Sequence, residues 1–506
     1  MKQFNLIDEP WIPVVGIDGE RFEIGIKKLF EIAHQLKEVE DSSPLVVGAI
    51  YRLLLAIIYR SLAGPESIEQ VVEMFEAGLP LERINNYLEK FRDRFYLFHP
   101  THPFGQVPSW SPTEKDWRNW PVLAVEHSAG RQGATLFDHL VETEATNAPA
   151  SKCARMLLAV LTRSPQSHVT SLAPATAAPS ASAILALPIG STLAYSLLLA
   201  LVPQRSEVTA VDLPIWEREP PNAEVLRKKP GRKPSGYADL YSWRSRAIII
   251  KPNREGIVRE IAVASGEECL DGGVEDPMAA HRIDEKHGRL ARKFRSSNIW
   301  RDFDSLMPDG SDLAPRVLET TRIVLEFVDE AIFRAVLVIG ALSDKAKVVF
   351  WRRQTFTLPP FLLSSPEARS LVSEGLRLAD DFGRGLYLAL SRYYRSVLRH
   401  GEAEPRKEDV TALITSSSVL SSFWSVLEVR FPLFLEMIAS RTAFDSSRAF
   451  WNESVLTAFE LAWSTLSDAG EERNPWTIRA LVRAEKDLNI KRRELYNAIK
   501  QFSSNG

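Results

Sequence analysis

The sequence predicts an α+β fold: a large mixed α/β domain over 1–365, followed by an antiparallel four-helix bundle over 366–506. Three observations predict it. The apolar opening segment Phe4-Asn5-Leu6-Ile7-Asp8-Glu9-Pro10-Trp11-Ile12-Pro13-Val14 runs through Asp18-Gly19 into Arg21-Phe22-Glu23-Ile24, which is a hairpin pattern. Short apolar runs, Ala247-Ile248-Ile249-Ile250 and Val348-Val349-Phe350-Trp351, read as buried strands among helical stretches. Beyond Pro366 the apolar residues Val372, Leu376, Ala379, Gly383, Leu386, Leu390, Tyr393 and Val397 step by 4 and 3, one continuous seam of the kind a helical bundle buries.

Each element follows from local chemistry. In the opening strand, Phe4 and Leu6 alternate before two prolines interrupt it, and Ile12 and Val14 alternate after them. Asp18-Gly19 is expected to form a type I′ turn. Ser42-Ser43-Pro44 offers a capping hydroxyl and a proline at the first helical position. Val46, Ala49, Leu53 and Ile57 then follow at helical spacing. Further helices are expected near 66–78 and 80–92. From about 95 to 180 the pattern is irregular and rich in Pro, Ser, Thr and His, as binding loops are. Residues 184–365 mix short strands and helices, and Pro359-Pro360 closes them. Ser364-Ser365-Pro366 caps the long seam helix. Helices are then expected near 409–440, 447–469 and 476–502, with Trp451, Val455, Phe459, Ala462 and Leu466 as a second seam. No internal repeat is visible. The one biased tract is the Ala/Pro/Ser-rich stretch at 171–183.

Composition narrows the function classes. Of 506 residues, 45% are apolar and 25% charged, the balance of an ordinary globular protein. The apolar run Ala183 to Pro203 is broken by proline, glycine and hydroxyl residues, so a core element is expected there and no membrane association. No basic-then-apolar leader opens the chain. Cys153 and Cys269 are too few for a disulfide framework. A reduced, cytoplasmic setting is expected. The net charge of -3 argues against a free-standing nucleic-acid binder. The charge is uneven, however. Arg227, Lys228, Lys229, Arg232 and Lys233 crowd around Pro230-Gly231, and Arg479, Arg483, Lys486, Lys491, Arg492, Arg493 and Lys500 make the last helix basic. Such segments contact phosphates when partners supply most of the affinity. For 227–233 we expect a flexible phosphate-binding loop, against the plainer solvated linker that its prolines and glycines also allow.

Catalytic signatures are missing. The chain has no GxxxxGK[ST] loop, no GxSxG elbow and no HExxH helix. His99 and His102, in Phe98-His99-Pro100-Thr101-His102-Pro103-Phe104, are spaced to share a metal if a carboxylate joined them. The prolines and flanking phenylalanines favour a rigid, packed turn instead. Asp380-Asp381 and the pair Asp302 and Asp304 offer paired carboxylates; Asp380-Asp381, between seam positions, reads as a solvated helix face without a histidine or phosphate loop beside it. No cofactor is expected.

Several segments resemble the CasA family, the large subunits of the type I-E CRISPR surveillance complex, Cascade. The resemblance rests on Phe4 to Val14, on Phe95-Tyr96-Leu97-Phe98-His99-Pro100-Thr101-His102-Pro103-Phe104 and on Gly133-Ala134-Thr135-Leu136-Phe137-Asp138-His139. It continues through Tyr237-Ala238-Asp239-Leu240-Tyr241-Ser242-Trp243-Arg244-Ser245-Arg246, Asp276-Pro277-Met278, Ala341-Leu342-Ser343-Asp344-Lys345-Ala346-Lys347 and Trp351-Arg352-Arg353. Each motif is weak, and their order along the chain is more specific. The resemblance implies a non-catalytic subunit beside the 5′ handle of the guide RNA. Such a subunit reads the protospacer-adjacent motif (PAM) of double-stranded target DNA from the minor groove. It helps open the duplex and recruits a helicase-nuclease, with the other Cascade subunits as partners.

Residue by residue, the resemblance places Phe137 where a loop aromatic meets the guide handle, a flat ring suited to stacking. It places Lys286, in Asp284-Glu285-Lys286-His287-Gly288, near a lysine finger for the minor groove. It places Lys345, Ala346 and Lys347 where some members carry a duplex-separating wedge. Three departures stand. The region matching a glycine-rich loop, 164–182, holds no glycine; a wedge glutamine is absent; and two cysteines cannot form the four-cysteine zinc site of some members. PAM preference therefore does not transfer. Two rival classes remain: a metal-dependent nuclease or hydrolase built on His99 and His102, and a purely architectural adaptor.

Overall fold

The chain divides into two units, 1–297 with 308–356, and 298–307 with 357–506. The computed structural model describes residues 3–124, 146–163, 172, 178–179, 181, 183–204, 211–228, 231–270, 272–286, 288–294, 299–307, 313–344, 347–399, 404–440, 444–468 and 475–503. Helix and sheet are mixed, as expected for an α+β chain.

In the first unit, Ile12–Gly16 is the centre of a three-stranded sheet, with Arg21–Ile24 on one side and Leu36–Val39 on the other. Both pairings are antiparallel, and Val14 faces Phe22 and Val39. The turn differs from the expected type I′. That turn needs positive φ at both central residues, and only Gly19 has it, at +88°. Gly16 N–H donates to Glu20 O at 2.8 Å and Gly19 N–H to Gly16 O at 3.0 Å, so the loop is a residue longer. The opening segment is not one interrupted strand either. Asn5 bridges to Tyr96, while the Trp11 indole folds back and donates to Leu6 O at 2.8 Å.

The helix Pro44–Leu62 is the core of this unit. Ser43 caps it, its hydroxyl accepting from Val46 N–H at 3.2 Å, with Pro44 in the first turn. Apart from Arg52 and Arg60 it is largely apolar on every face, because nearly all of it from Leu45 to Tyr59 is buried. It is long and apolar enough to cross a membrane, yet 83% of its apolar window is buried within the fold. The stretch predicted to be irregular holds a second core helix, Ala150–Arg163. Cys153, Ala154, Leu157, Leu158 and Leu161 are buried along it at 3–4 spacing, a signal that the surrounding Pro/Ser/Thr content hid.

Two more three-stranded sheets lie in this unit. One runs Lys347–Thr357, Phe333–Asp344, Leu185–Gly190, with Leu337 opposite Leu187. The other runs Trp117–Asn119, Val258–Ser265, Arg246–Pro252. The predicted strand 247–250 lies in the last of these, and Ala247, Ala262 and Ala264 pack there against Val107, Trp110 and Leu226. The Ala183–Pro203 run supplies a buried strand and the buried helix Leu193–Leu199.

The second unit is helical: Pro360–Ser364, Pro366–Arg399, Lys407–Ser416, Val419–Ala439, Phe444–Asp468 and Pro475–Ser503, with the short 3-10 helix Ile299–Leu306. The Ser365 hydroxyl accepts from Ala368 N–H at 3.2 Å and starts the long helix. Its predicted seam is buried from Val372 to Leu390. The expected single helix 409–440 is two helices bent by 44° at Ser417-Ser418, where hydroxyls compete for backbone carbonyls. The Ser417 hydroxyl donates to Ile414 O at 2.9 Å. Trp300 packs against Trp424, Phe431 and Trp451. Gly375 and Gly383 let two of these rings approach the long helix: a Cβ at 383 would lie 2.3 Å from the Trp424 ring.

Candidate nucleic-acid interface

Lys286 stands on a two-stranded hairpin, His281–Asp284 with Gly288–Ala291. The register pairs His281 with Ala291, Arg282 with Leu290, Ile283 with Arg289 and Asp284 with Gly288. The local sequence explains the turn. The Asp284 carboxylate accepts from Lys286 N–H at 3.1 Å, and Gly288 takes a φ of +70° that a side chain resists. A Cβ at Gly288 would meet nothing within 4 Å, so conformation and not space selects glycine. Lys286 is exposed at the tip of this turn.

The same arm carries two residues that the sequence did not single out. Arg282 is half exposed beside Asp284, 3.1 Å away, and Ile283 is 65% exposed. Alternation about the Lys-x-Gly turn was the signal for them. At the base, Arg289 lies 3.3 Å from Glu275 and 3.4 Å from His281 Nδ1. Burial, then the Arg289 charge, pushes the His281 pKa below its usual 6.5.

The basic run 227–233 is not a free loop throughout. Arg227 ends the helix Ala223–Arg227, and Lys228 follows it; both are exposed. Lys233 is exposed as well, while Lys229 lies outside the described residues. Arg232 is committed to the fold. Gly231–Arg232 is a short strand parallel to Glu268–Cys269. The Arg232 guanidinium donates to both oxygens of Asp239, at 2.6 and 2.9 Å, and to both of Glu267, at 3.2 and 3.1 Å. Asp239 is fully buried, so this side chain serves the core of the unit rather than a mobile phosphate loop.

Phe137 and Lys345 lie outside the described residues, as does most of 164–182. Lys347 opens the strand Lys347–Thr357, paired to Phe333–Asp344.

His99 and His102 act as turn chemistry. His99 Nδ1 accepts from Thr101 N–H at 3.2 Å and from His102 N–H at 2.9 Å. His102 Nε2 lies 3.2 Å from Glu219, and Arg94 also bonds that carboxylate. Phe104, just beyond, is buried against Phe95 and Trp216. Among the described residues no group of three His, Cys, Asp or Glu side chains is placed to share a metal ion. Asp380 is not merely solvated: Arg301 bonds it at 2.8 Å. Cys153 is buried, which pushes its thiol up to about 12, and Cys269 is half-buried.

Comparison with known proteins is consistent along the chain. The sequence model of the family described as CRISPR-associated protein Cse1 matches residues 5–461. The CRISPR-associated protein CasA/Cse1 of Thermus thermophilus is 33% identical over 476 residues, 92% of each chain. The solved structure of Thermus thermophilus CasA (Cse1) superposes with a TM-score of 0.82 at 30% identity, covering 98% of this chain and 100% of that one. A chain of a solved CRISPR RNA-guided surveillance complex shares the fold at 20% identity, with a TM-score of 0.76 over 96% of this chain and 100% of that one. A family match over most of the length, with a relative one-third identical over nine-tenths of it, leads to one conclusion: the chain belongs to the CRISPR-associated Cse1 (CasA) family.

Proposed function

We propose that this chain is the large subunit of an RNA-guided CRISPR surveillance complex, Cascade, and that it reads the PAM of double-stranded target DNA. It does no chemistry of its own. The observation that carries the reading is the exposed Lys286 on a turn built by Asp284 and Gly288, on an arm that also exposes Ile283 and Arg282. A narrow arm with a cationic tip and an apolar flank suits the minor groove. Its degenerate donor and acceptor pattern predicts tolerance of several PAMs. Arg227, Lys228 and Lys233 add phosphate contacts along the flanking duplex.

On this reading Phe137 stacks on the guide handle, and the segment Lys345 to Lys347 parts the first base pairs. Guide pairing then proceeds in near-balanced exchange with the duplex. The C-terminal helices form an antiparallel four-helix bundle, the assembly works in the cytoplasm, and it recruits a helicase-nuclease. No observation favours the hydrolase built on His99 and His102: the His99 imidazole accepts from the loop backbone and the His102 imidazole meets Glu219, and among the described residues no third ligand joins them. The adaptor reading differs in one outcome: reversing charge at Arg227, Lys228 and Lys233 would leave DNA binding unchanged.

The test is equilibrium binding of a PAM-bearing duplex to guide-loaded complex, with and without this chain, at fixed salt. Tightening that needs both the chain and the PAM supports the reading. Equal binding to scrambled and PAM duplexes in its presence rejects it.

A further inference from the structure

The hairpin that carries Lys286 is aimed from its base, and the base is tied to a buried charge. Arg292 N–H donates to Ala280 O at 2.7 Å, Ala280 N–H to Ile184 O at 3.0 Å, and Ile184 N–H to Arg292 O at 2.9 Å. One closed ring of backbone bonds thus joins both hairpin ends to the start of the strand Leu185–Gly190. His281 N–H adds a bond to Leu313 O at 2.7 Å. Ala186 N–H, further along, donates to Met278 O at 2.8 Å.

The chain reaches this ring through Asp276. One Asp276 oxygen accepts from Met278 N–H at 3.0 Å, and Ala279 N–H donates to the Asp276 carbonyl at 3.1 Å. These bonds fold the turn that delivers residues 280–281 to the hairpin. The other carboxylate oxygen takes Arg52 Nη2. Arg52 comes from the middle of the core helix Pro44–Leu62 and is fully buried. Its Nε and Nη1 have no hydrogen-bond partner among the described residues. Arg163, at the end of the helix Ala150–Arg163, shares the same field. Burial and the Arg52 charge push its pKa down to about 9, and Asp276 partly raises it. One carboxylate therefore faces two buried guanidinium groups while it shapes the turn.

We propose that Asp276 is a positioning residue for DNA recognition: the buried Arg52–Asp276 pair holds the 276–280 turn, and so aims the 281–291 arm and its Lys286 at the duplex. This rests on the reading of that arm as the DNA-contacting element. Asp276 itself touches no DNA. Its contribution lies in fixing the base from which a two-stranded arm, too small to be rigid alone, projects.

The experiment is a double-mutant cycle in the full guide-loaded complex, using the parent, K286A, D276N and D276N/K286A chains. PAM duplex and scrambled duplex are titrated at fixed salt. K286A should weaken PAM-duplex binding roughly tenfold, as the loss of one specific contact does. D276N should weaken it to a similar extent, and the double variant no further than either single one. Independent, multiplying losses overturn the positioning role and leave the DNA-contacting arm standing. An unaltered affinity for K286A overturns the arm itself, and the positioning role with it.

D276N leaves Arg52 buried without a counter-charge, which can unfold a protein. The chain R52M/D276N removes both charges and keeps an acceptor for Met278 N–H, so it goes through the same cycle. If it binds the PAM duplex as the parent does, the pair is merely structural and the proposal fails. Hydrogen exchange on the isolated chain supplies a readout independent of DNA. Faster exchange of the 281–291 amides, with unchanged rates in Pro44–Leu62, supports the positioning role. Exchange in the arm that matches the parent overturns it.

Discussion

The Arg232 guanidinium sits 3.9 Å from the centre of the Trp243 ring while it forks to the buried carboxylate of Asp239. A cation held between an aromatic face and two carboxylates is part of the architecture. It separates Arg232 from the cations that flank it in sequence, and the separation can be measured. Arg232→Ala should cost about 3 kcal/mol of stability, because Asp239 is left buried with its main partner gone. Arg227→Ala and Lys228→Ala, at exposed positions, should change stability by less than about 0.5 kcal/mol. Each should instead lower the salt slope of DNA binding by about 1 if it contacts a phosphate. Urea melts and salt titrations of the three variants decide the matter. A stable R232A chain would mean that the ion-pair network contributes little.

Low pH should loosen the base of the Lys286 arm. Burial and Arg289 depress the His281 pKa, and Glu275 and Asp276 oppose the shift. A depressed pKa means that the unfolded chain binds this proton more readily than the folded one. The histidine's contribution is therefore complete above pH 6.5 and is lost as pH falls through the folded value. Urea midpoints at pH 7.5 and 5.5 should drop more in the parent than in H281N, which has no proton to gain. Equal drops would show that His281 has the same pKa in the folded and unfolded chain.

Cys153 should resist alkylation in the native chain. With its thiol pushed up to about 12, the thiolate fraction at pH 8 is about a thousandfold below that of a free thiol near 9. Timed iodoacetamide labelling with peptide mapping should show Cys153 modified only in urea. Rapid native labelling of Cys153 would mean that the helix Ala150–Arg163 opens readily.

Gly383→Ala should destabilise the helical unit by about 1–3 kcal/mol, the cost of overpacking a filled core. The added Cβ would lie 2.3 Å from the Trp424 ring, and Arg301 covers that ring at 3.7 Å, which restricts its escape. Thermal unfolding followed by tryptophan fluorescence reads the loss. An unchanged midpoint would show that Trp424 can move aside.

What the sequence determined by itself was local. Ser43-Pro44 and Ser365-Pro366 start helices because a hydroxyl needs only the next turn of backbone to cap. Asp284-x-Lys286-x-Gly288 makes its turn because an aspartate and a glycine suffice for it. The 4,3 seam from Val372 to Leu390 is buried because its period matches the helix. Tertiary structure decided the rest. Seven cationic and loop-forming residues in a row cannot reveal that, of the cations described there, Arg232 is the one that turns inward. Asp239 and Trp243 come to it only through the fold of the short helix that follows, and Glu267 from 35 residues away. Nor can Arg52, a charge in the middle of a largely apolar helix, reveal a carboxylate 224 residues away. Hydrogen bonds within a turn and helical periodicity are written over a few residues. The pairing of buried charges depends on which distant segments the hydrophobic core brings together, and it exists only once that core has formed.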